Sequence, residues 1–206
     1  MYNKPIIVFE GVECSGKSTH VSNVIKHLKK KGVKFISIRE PGGNIFSEKI
    51  RQIILNKKSN LHKFTDLLLY QASRNENVDK IIRKNYKKKV IIIDRFTDST
   101  VAYQHYGMNI NLNIINKINK FILKDLSIGF TFLNIVNTKN LKLRLKKRLH
   151  LNKYDKFKIN FYNKVQKGYM KISKNKKKYL IINSNQCLSK NKSIIIDKVN
   201  KILKIW

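Results

Sequence analysis

Apolar residues along this chain fall into two patterns. Short, nearly unbroken runs at Pro5–Phe9, Lys34–Ile38, Val90–Ile93, Phe130–Val136 and Tyr179–Asn183 are rich in Ile, Val and Phe. Runs of that length and composition predict strands covered on both faces. Between them the apolar positions recur at helical spacing. Val21, Val24, Ile25 and Leu28 share one face, as do Phe46, Ile50, Ile53 and Ile54, then Phe64, Leu67 and Leu68, then Val78, Ile81 and Ile82. Further helices are predicted over Leu112–Lys124, Asn140–Leu149, Ile159–Ser173 and Lys192–Lys204. Strands alternating with helices imply an α/β fold: a three-layer, doubly wound, five-stranded parallel sheet with right-handed crossovers. No repeat or Pro/Gly-rich linker interrupts residues 1–206, so one domain is expected, with the basic stretch 142–158 its most mobile segment.

Composition narrows the class. The chain has 206 residues, of which 42% are apolar, enough to bury a core. No stretch approaches the roughly 18 apolar residues of a membrane-spanning helix. The start, MYNKPIIVFEG, runs straight into a strand without an apolar signal region. Two cysteines, Cys14 and Cys187, lie far apart without metal-ligand spacing. That pattern suits a reducing cytoplasm rather than a disulfide framework or a zinc site.

The formal charge of +33 invites a nucleic-acid reading. Yet of the 45 basic residues only seven are arginine (39, 51, 74, 83, 95, 144 and 148). The remainder are lysines accompanied by abundant Asn and Ile, and these three residue types share A/T-rich codons. The lysines are scattered over predicted helix surfaces, as at Lys26, Lys29, Lys30 and Lys31, instead of being interleaved with aromatics. A solvated surface explains them better than a polynucleotide-binding face. The field would still draw in small anions at low salt.

The sharpest chemical signal is Gly11-Val12-Glu13-Cys14-Ser15-Gly16-Lys17-Ser18-Thr19, which fits G-x-x-x-x-G-K-[ST] between a strand and an amphipathic helix. Glycines let successive backbone N–H groups turn toward phosphates beside the positive end of a helix. Lys17 is placed to reach the β- and γ-phosphates, Ser18 to meet Mg²⁺, and Thr19 to approach the α-phosphate. The fold class expected is therefore that of the P-loop NTPases. Asn152-Lys153-Tyr154-Asp155 spells N-K-x-D, a guanine-clamp pattern, but it sits in a basic, helix-forming stretch and no D-x-x-G switch accompanies it. Transfer to a second small molecule then needs an acceptor site. Three clusters supply one, each at a strand's C-terminal end or on a facing helix: Arg39-Glu40-Pro41-Gly42-Gly43, Leu68–Arg74, and Asp94–Gln104.

In the order and spacing of these blocks (GVECSGKST, REPGG, LLLYQASR, DRFTDSTVAYQ), the chain resembles the thymidylate kinases of bacterial type over essentially its whole length. The resemblance implies phosphoryl transfer from ATP to dTMP, assisted by Mg²⁺, in a homodimer. It implies that Tyr70 stacks on thymine and that Arg74 bonds its carbonyl. Thr100 and Gln104 would surround the base, with Tyr103 under the deoxyribose. Arg95 would grip the acceptor phosphate, with Arg39 and Arg51 as further contacts and Glu40 as a polar organiser. Glu13 would orient the sugar side, while Asp94 with Ser18 would organise the metal. Where some members carry an arginine inside the loop, this chain has Cys14. A lid pattern near D-R-[FY]-E is replaced by Asn152–Asp155, so Arg148 and Lys153 are expected to share the cationic role, with Arg144 as a possible compensator. Cys14 lies near Lys17 and a helix N-terminus, a setting that favours thiolate, but a small filler at a variable loop position is the preferred reading. Another nucleoside monophosphate or deoxynucleoside kinase remains an alternative, as does a basic nucleic-acid-binding NTPase.

Overall fold

The computed structural model describes residues 4–149, 152–174 and 177–205. Five strands, β1 (Ile6–Gly11), β2 (Phe35–Arg39), β3 (Val90–Asp94), β4 (Phe130–Ile135) and β5 (Tyr179–Asn183), pair in parallel in the order β2-β3-β1-β4-β5. Each lies within two residues of its predicted run. Helices α1 (Lys17–Lys30), α2 (Ile45–Leu55), α3 (Lys63–Asn77), α4 (Arg83–Asn85), α5 (Thr97–Thr100), α6 (Leu112–Leu123), α7 (Thr138–Lys146), α8 (Ile159–Ser173) and α9 (Leu188–Leu203) connect and flank them.

Strand alternation divides the core. From the central β1, Ile7 and Phe9 face α1 and α9, meeting Val24, Leu28, Ile195 and Val199. Ile6 and Val8 face the opposite way, onto Val78, Ile82 and Ile122. A third apolar cluster, with Tyr103, Leu133, Tyr154, Tyr162 and Tyr169, lies at the C-terminal end of the sheet. Because chain order reverses on either side of β1, the crevice of this doubly wound sheet opens beyond the end of that strand. Two helices carry π-helical turns, Val78–Ile82 after α3 and Val101–Gly107 after α5. The second places Tyr103 and Gln104 at that crevice. No described helix is long and apolar enough to cross a membrane.

Two sequence expectations change. The predicted helix Asn140–Leu149 is α7, ending at Lys146, so Arg148 lies beyond the helix rather than on it. The apolar face expected on α2 is only partly buried: Ile54 is fully covered while Phe46 and Ile53 stay exposed, and Phe64 and Leu68 on α3 are exposed as well. Periodicity located the helices but not what covers them. The stretch 142–158 is anchored at its far end by a 3₁₀ turn, Lys153–Lys156, with Tyr154 buried; His150 and Leu151 lie outside the described residues.

Phe132, fully buried on β4, stacks on Phe9 with ring centroids 4.9 Å apart. Phe132→Ala should lower unfolding free energy by about 3–5 kcal/mol, read from urea denaturation.

Candidate functional site

The phosphate loop leaves β1 through Gly11, whose φ of 140° no L side chain adopts readily; a Cβ there would stand 2.3 Å from the Asn134 carbonyl oxygen. The loop closes at Gly16, φ 85°, which opens α1. Lys17 is nearly buried and its Nζ donates to the Val12 carbonyl at 2.9 Å. Burial, with repulsion from Arg95, lowers the Lys17 ammonium to about 8. Ser18 Oγ donates to Asp94 Oδ2 at 2.8 Å, bringing together the hydroxyl and carboxylate expected at a cation. Beside the loop is a cavity of about 490 Å³ lined by Gly16–His20, Ser184, Gln186, Leu188 and Asn191. Gly11, Val12 and Ser15 form the loop's buried floor.

Arg95 joins this loop to everything beyond it. It follows β3 with φ 68°, a left-handed backbone for a non-glycine residue. Its guanidinium donates to the Gly11 carbonyl (2.8 Å) and to Glu13 Oε1 (3.0 Å), and its Cζ lies 5.2 Å from the centre of the Tyr103 ring. Glu13 also accepts from the Tyr103 hydroxyl. Burial would push the Glu13 carboxyl up, but Arg95 and Lys17 overcome it and hold the carboxyl below its usual range. Behind them the fully buried Glu10 accepts from the Phe96 N–H (2.8 Å), the Ser99 N–H (3.2 Å), the Ser99 hydroxyl (2.6 Å) and the Tyr169 hydroxyl (3.2 Å). These bonds fix the chain that follows Arg95. The sequence reading missed Glu10 because a lone acid at a strand end carries no motif.

A second cavity, of about 440 Å³, extends from the loop past Arg95. Fifteen of the expected residues line it: Glu13, Cys14, Lys17, Ser18, Arg39, Glu40, Arg51, Tyr70, Arg74, Asp94, Arg95, Thr100, Tyr103, Gln104 and Arg148. Tyr70 stands on α3, edge-on to Tyr154 at 6.5 Å. Thr100 Oγ1 and Gln104 Nε2 are buried without a partner among the described residues. Arg74 is held harder than the sequence suggested. It donates to Glu40 Oε2 (2.8 Å), Gln71 Oε1 (3.3 Å), Asn119 Oδ1 (2.9 Å) and the Phe96 carbonyl (2.9 Å), which leaves a single N–H uncommitted among the described residues. Glu40, expected to be a polar organiser, is the partner of Arg74, and Asn77 bonds it in turn at 3.5 Å. Arg51 donates to the Pro41 carbonyl at 2.7 Å, whereas Arg39 forms an exposed pair with Glu48 at 3.5 Å.

The lid residues divide. Arg148 lines the second cavity and pairs with Asp155 at 2.7 Å. Lys153 is not brought there: its Nζ pairs with the buried Asp66 of α3, and it lines a separate cavity with Lys156, Phe157 and Phe161. The second arginine on the phosphate loop is Arg144, which donates to the Cys14 carbonyl (3.1 Å) and the Ser184 carbonyl (2.7 Å) and borders both cavities. Its spacing of four from Arg148 was the signal for it. Cys14 is half-buried, and burial pushes its thiol up despite the charge of Arg148. Tyr154, read only as part of a discounted tetrapeptide, lines the second cavity, and His20 lines the cavity beside the loop.

Comparison with known proteins places these residues in a family. A model described as thymidylate kinase matches residues 9–195. The chain is 37% identical over 183 residues to a thymidylate kinase of Thermosipho africanus, covering 88% of this chain and 90% of that one. It is 35% identical over 204 residues to one of Mycoplasma capricolum, covering 95% and 96%. The crystal structure of thymidylate kinase from Ehrlichia chaffeensis superposes with a TM-score of 0.77 at 29% identity, covering 96% of this chain and 98% of that one.

Burial, reinforced by the nearby Asp98, pushes the Glu10 carboxyl up from 4.5 to about 7 against the bonds from Ser99 and Phe96. Between those values the folded chain holds a proton that the unfolded chain releases. The contribution is therefore complete below pH 4.5, declines as pH rises, and is lost above about 7. Urea denaturation across this window should show wild type losing a few kcal/mol relative to Glu10→Gln; parallel pH curves would contradict the assignment.

Proposed function

The chain belongs to the thymidylate kinase family, and we propose that its two cavities bind ATP and dTMP so that the γ-phosphoryl passes between them, giving ADP and dTDP. The observation that carries this reading is where the cavities meet: Cys14, Lys17, Ser18 and Arg144 line both. A phosphate chain on the loop and an acceptor in the second cavity would converge at those residues.

The acceptor phosphate is already ionised, so no general base or covalent intermediate is needed, and catalysis rests on positioning and charge. Lys17, near half-protonation at about pH 8 in the free protein, becomes fully cationic against a triphosphate. Arg95 faces the acceptor phosphate with Arg39 and Arg51 as further contacts, while Arg144 and Arg148 supply charge from the lid side. Tyr70 stacks on the base, and the remaining N–H of Arg74 meets a thymine carbonyl. The buried Thr100 Oγ1 and Gln104 Nε2, each without a partner among the described residues, find one in the base. Tyr103, held by Glu13, packs under the deoxyribose.

Ser18 and Asp94 would hold Mg²⁺ with water and the nucleotide's phosphates completing its shell, which suits a site with no cluster of three acidic, His or Cys ligands among the described residues. When bound, the ion neutralises charge on the β- and γ-phosphates. We place residues 1–206 in one domain with 142–158 as its lid. Exposed Phe64 and Leu68 on α3 and Ile114 and Phe121 on α6 support a homodimer packed through these helices. Two unpaired cysteines suit the cytoplasm.

A coupled ADP-release assay over a panel of monophosphates tests the reading. dTMP should support turnover, with dUMP about 10–200-fold poorer for want of one methyl; absence of dTMP-dependent turnover would overturn it. In the same assay Arg148→Ala should lower kcat by about 10–100-fold with little change in the KM for dTMP.

A further inference from the structure

We propose that Lys153 is a positioning residue for the acceptor: its ion pair with Asp66 locks the turn carrying Tyr154 onto the helix that carries Tyr70. The proposal rests on the reading of that cavity as the dTMP site.

Asp66 is 1% exposed and lies one helical turn before Tyr70 on α3. Both of its oxygens are taken by consecutive residues of one distant turn. Oδ1 accepts from Lys153 Nζ, and Oδ2 accepts from the Tyr154 hydroxyl at 2.9 Å. The side chains of the ion pair are 11% and 2% exposed, so solvent screens it little. A carboxylate buried this deeply is tolerated only with partners, which makes the turn's position and the charge of Asp66 mutually dependent.

What the turn presents to the cavity gives the pair its consequence. Tyr154 is 2% exposed and meets Tyr103 edge-on, with centroids 5.6 Å apart and planes at 89°. It meets Tyr70 edge-on as well, at 6.5 Å. The two rings expected against the base and the sugar thus share a neighbour whose hydroxyl is fixed by Asp66. The same turn begins with Asn152, whose side chain accepts from the Tyr154 N–H at 2.8 Å, and includes Asp155, the partner of Arg148. Arg148 holds its own bond to Asp155, so what the buried ion pair sets is the aromatic wall beside the acceptor. Lys153 itself faces away from the phosphate loop, in the cavity formed with Lys156, Phe157 and Phe161. It acts on the substrate through Asp66 and Tyr154.

Lys153→Met, Asp66→Asn and the double variant distinguish this role from others, because Asn at position 66 still accepts from Tyr154 while losing the charge. Each single variant should raise the KM for dTMP about tenfold, leave the KM for ATP unchanged and keep kcat within about twofold. The double variant should be no worse than either single one, since both remove the same contact. It also removes both buried charges should a single variant fail to fold. A large fall in kcat for Lys153→Met with wild-type kinetics for Asp66→Asn would show Lys153 acting directly on the phosphates and would overturn the proposal. Lower melting temperatures with unchanged KM would overturn it too, leaving the pair merely structural. Hydrogen exchange on the substrate-free variants supplies a readout independent of the acceptor's identity. The amides of 152–157 should exchange faster, and unchanged exchange there overturns the lock whether or not dTMP is the substrate.

Discussion

Arg95 is where the demands of this structure converge. Its guanidinium bridges the Gly11 carbonyl and the Glu13 carboxylate, joining the phosphate loop on β1 to the end of β3. Neither group could be left alone. An uncompensated arginine or glutamate in this partly enclosed setting would be costly, and together they hold each other charged. The pairing also fixes Tyr103, whose hydroxyl shares Glu13 and whose ring lies beneath the guanidinium. The left-handed backbone at Arg95 is the local cost of aiming the side chain back across the sheet, and Glu10 offsets it by receiving the next N–H groups along the chain. One cation thus registers the donor loop against the acceptor wall.

The same economy governs the other buried charges. Glu40 exists as the partner of Arg74, and Asp66 as the partner of Lys153 and Tyr154. In a chain with 12 acidic residues against 45 basic ones, carboxylates inside the fold aim and restrain the cations around the cavities. Such preorganisation suits phosphoryl transfer, in which the protein holds two anions near each other and contributes no covalent chemistry. Arg74 shows its extent, with nearly all of its donors committed before any ligand arrives.

Local features were legible in the sequence, and long-range partnerships were not. Strand positions followed from short apolar runs, and the phosphate loop from glycine spacing between a strand and a helix, because both are set by neighbours along the chain. The clusters around Arg39, Tyr70 and Asp94 could be placed on strand ends and on the facing helix for the same reason. Lys153 could not, because its position is decided by Asp66, 87 residues away. Cys14 poses a competition that sequence cannot weigh: Lys17 and Arg148 favour a thiolate, whereas burial outweighs both. On α2 and α3 the helical period was right, yet Phe46, Ile53, Phe64 and Leu68 remain exposed, since period reveals a face without revealing its cover.

The arginines lining the acceptor cavity bear on the chain's composition as a whole. Of seven arginines, Arg39, Arg51, Arg74, Arg95, Arg144 and Arg148 border that cavity, and Arg83 alone lies elsewhere. A coding bias toward A/T-rich triplets favours lysine wherever a bare positive charge is enough. Arg95, which reaches Gly11 and Glu13, and Arg144, which reaches Cys14 and Ser184, use the flat, forked donor that lysine lacks. Lys153 marks the converse, a cation with one carboxylate to satisfy. Within this lysine-rich chain the rarer cation is a label for geometry: six of seven arginine positions outline a single cavity.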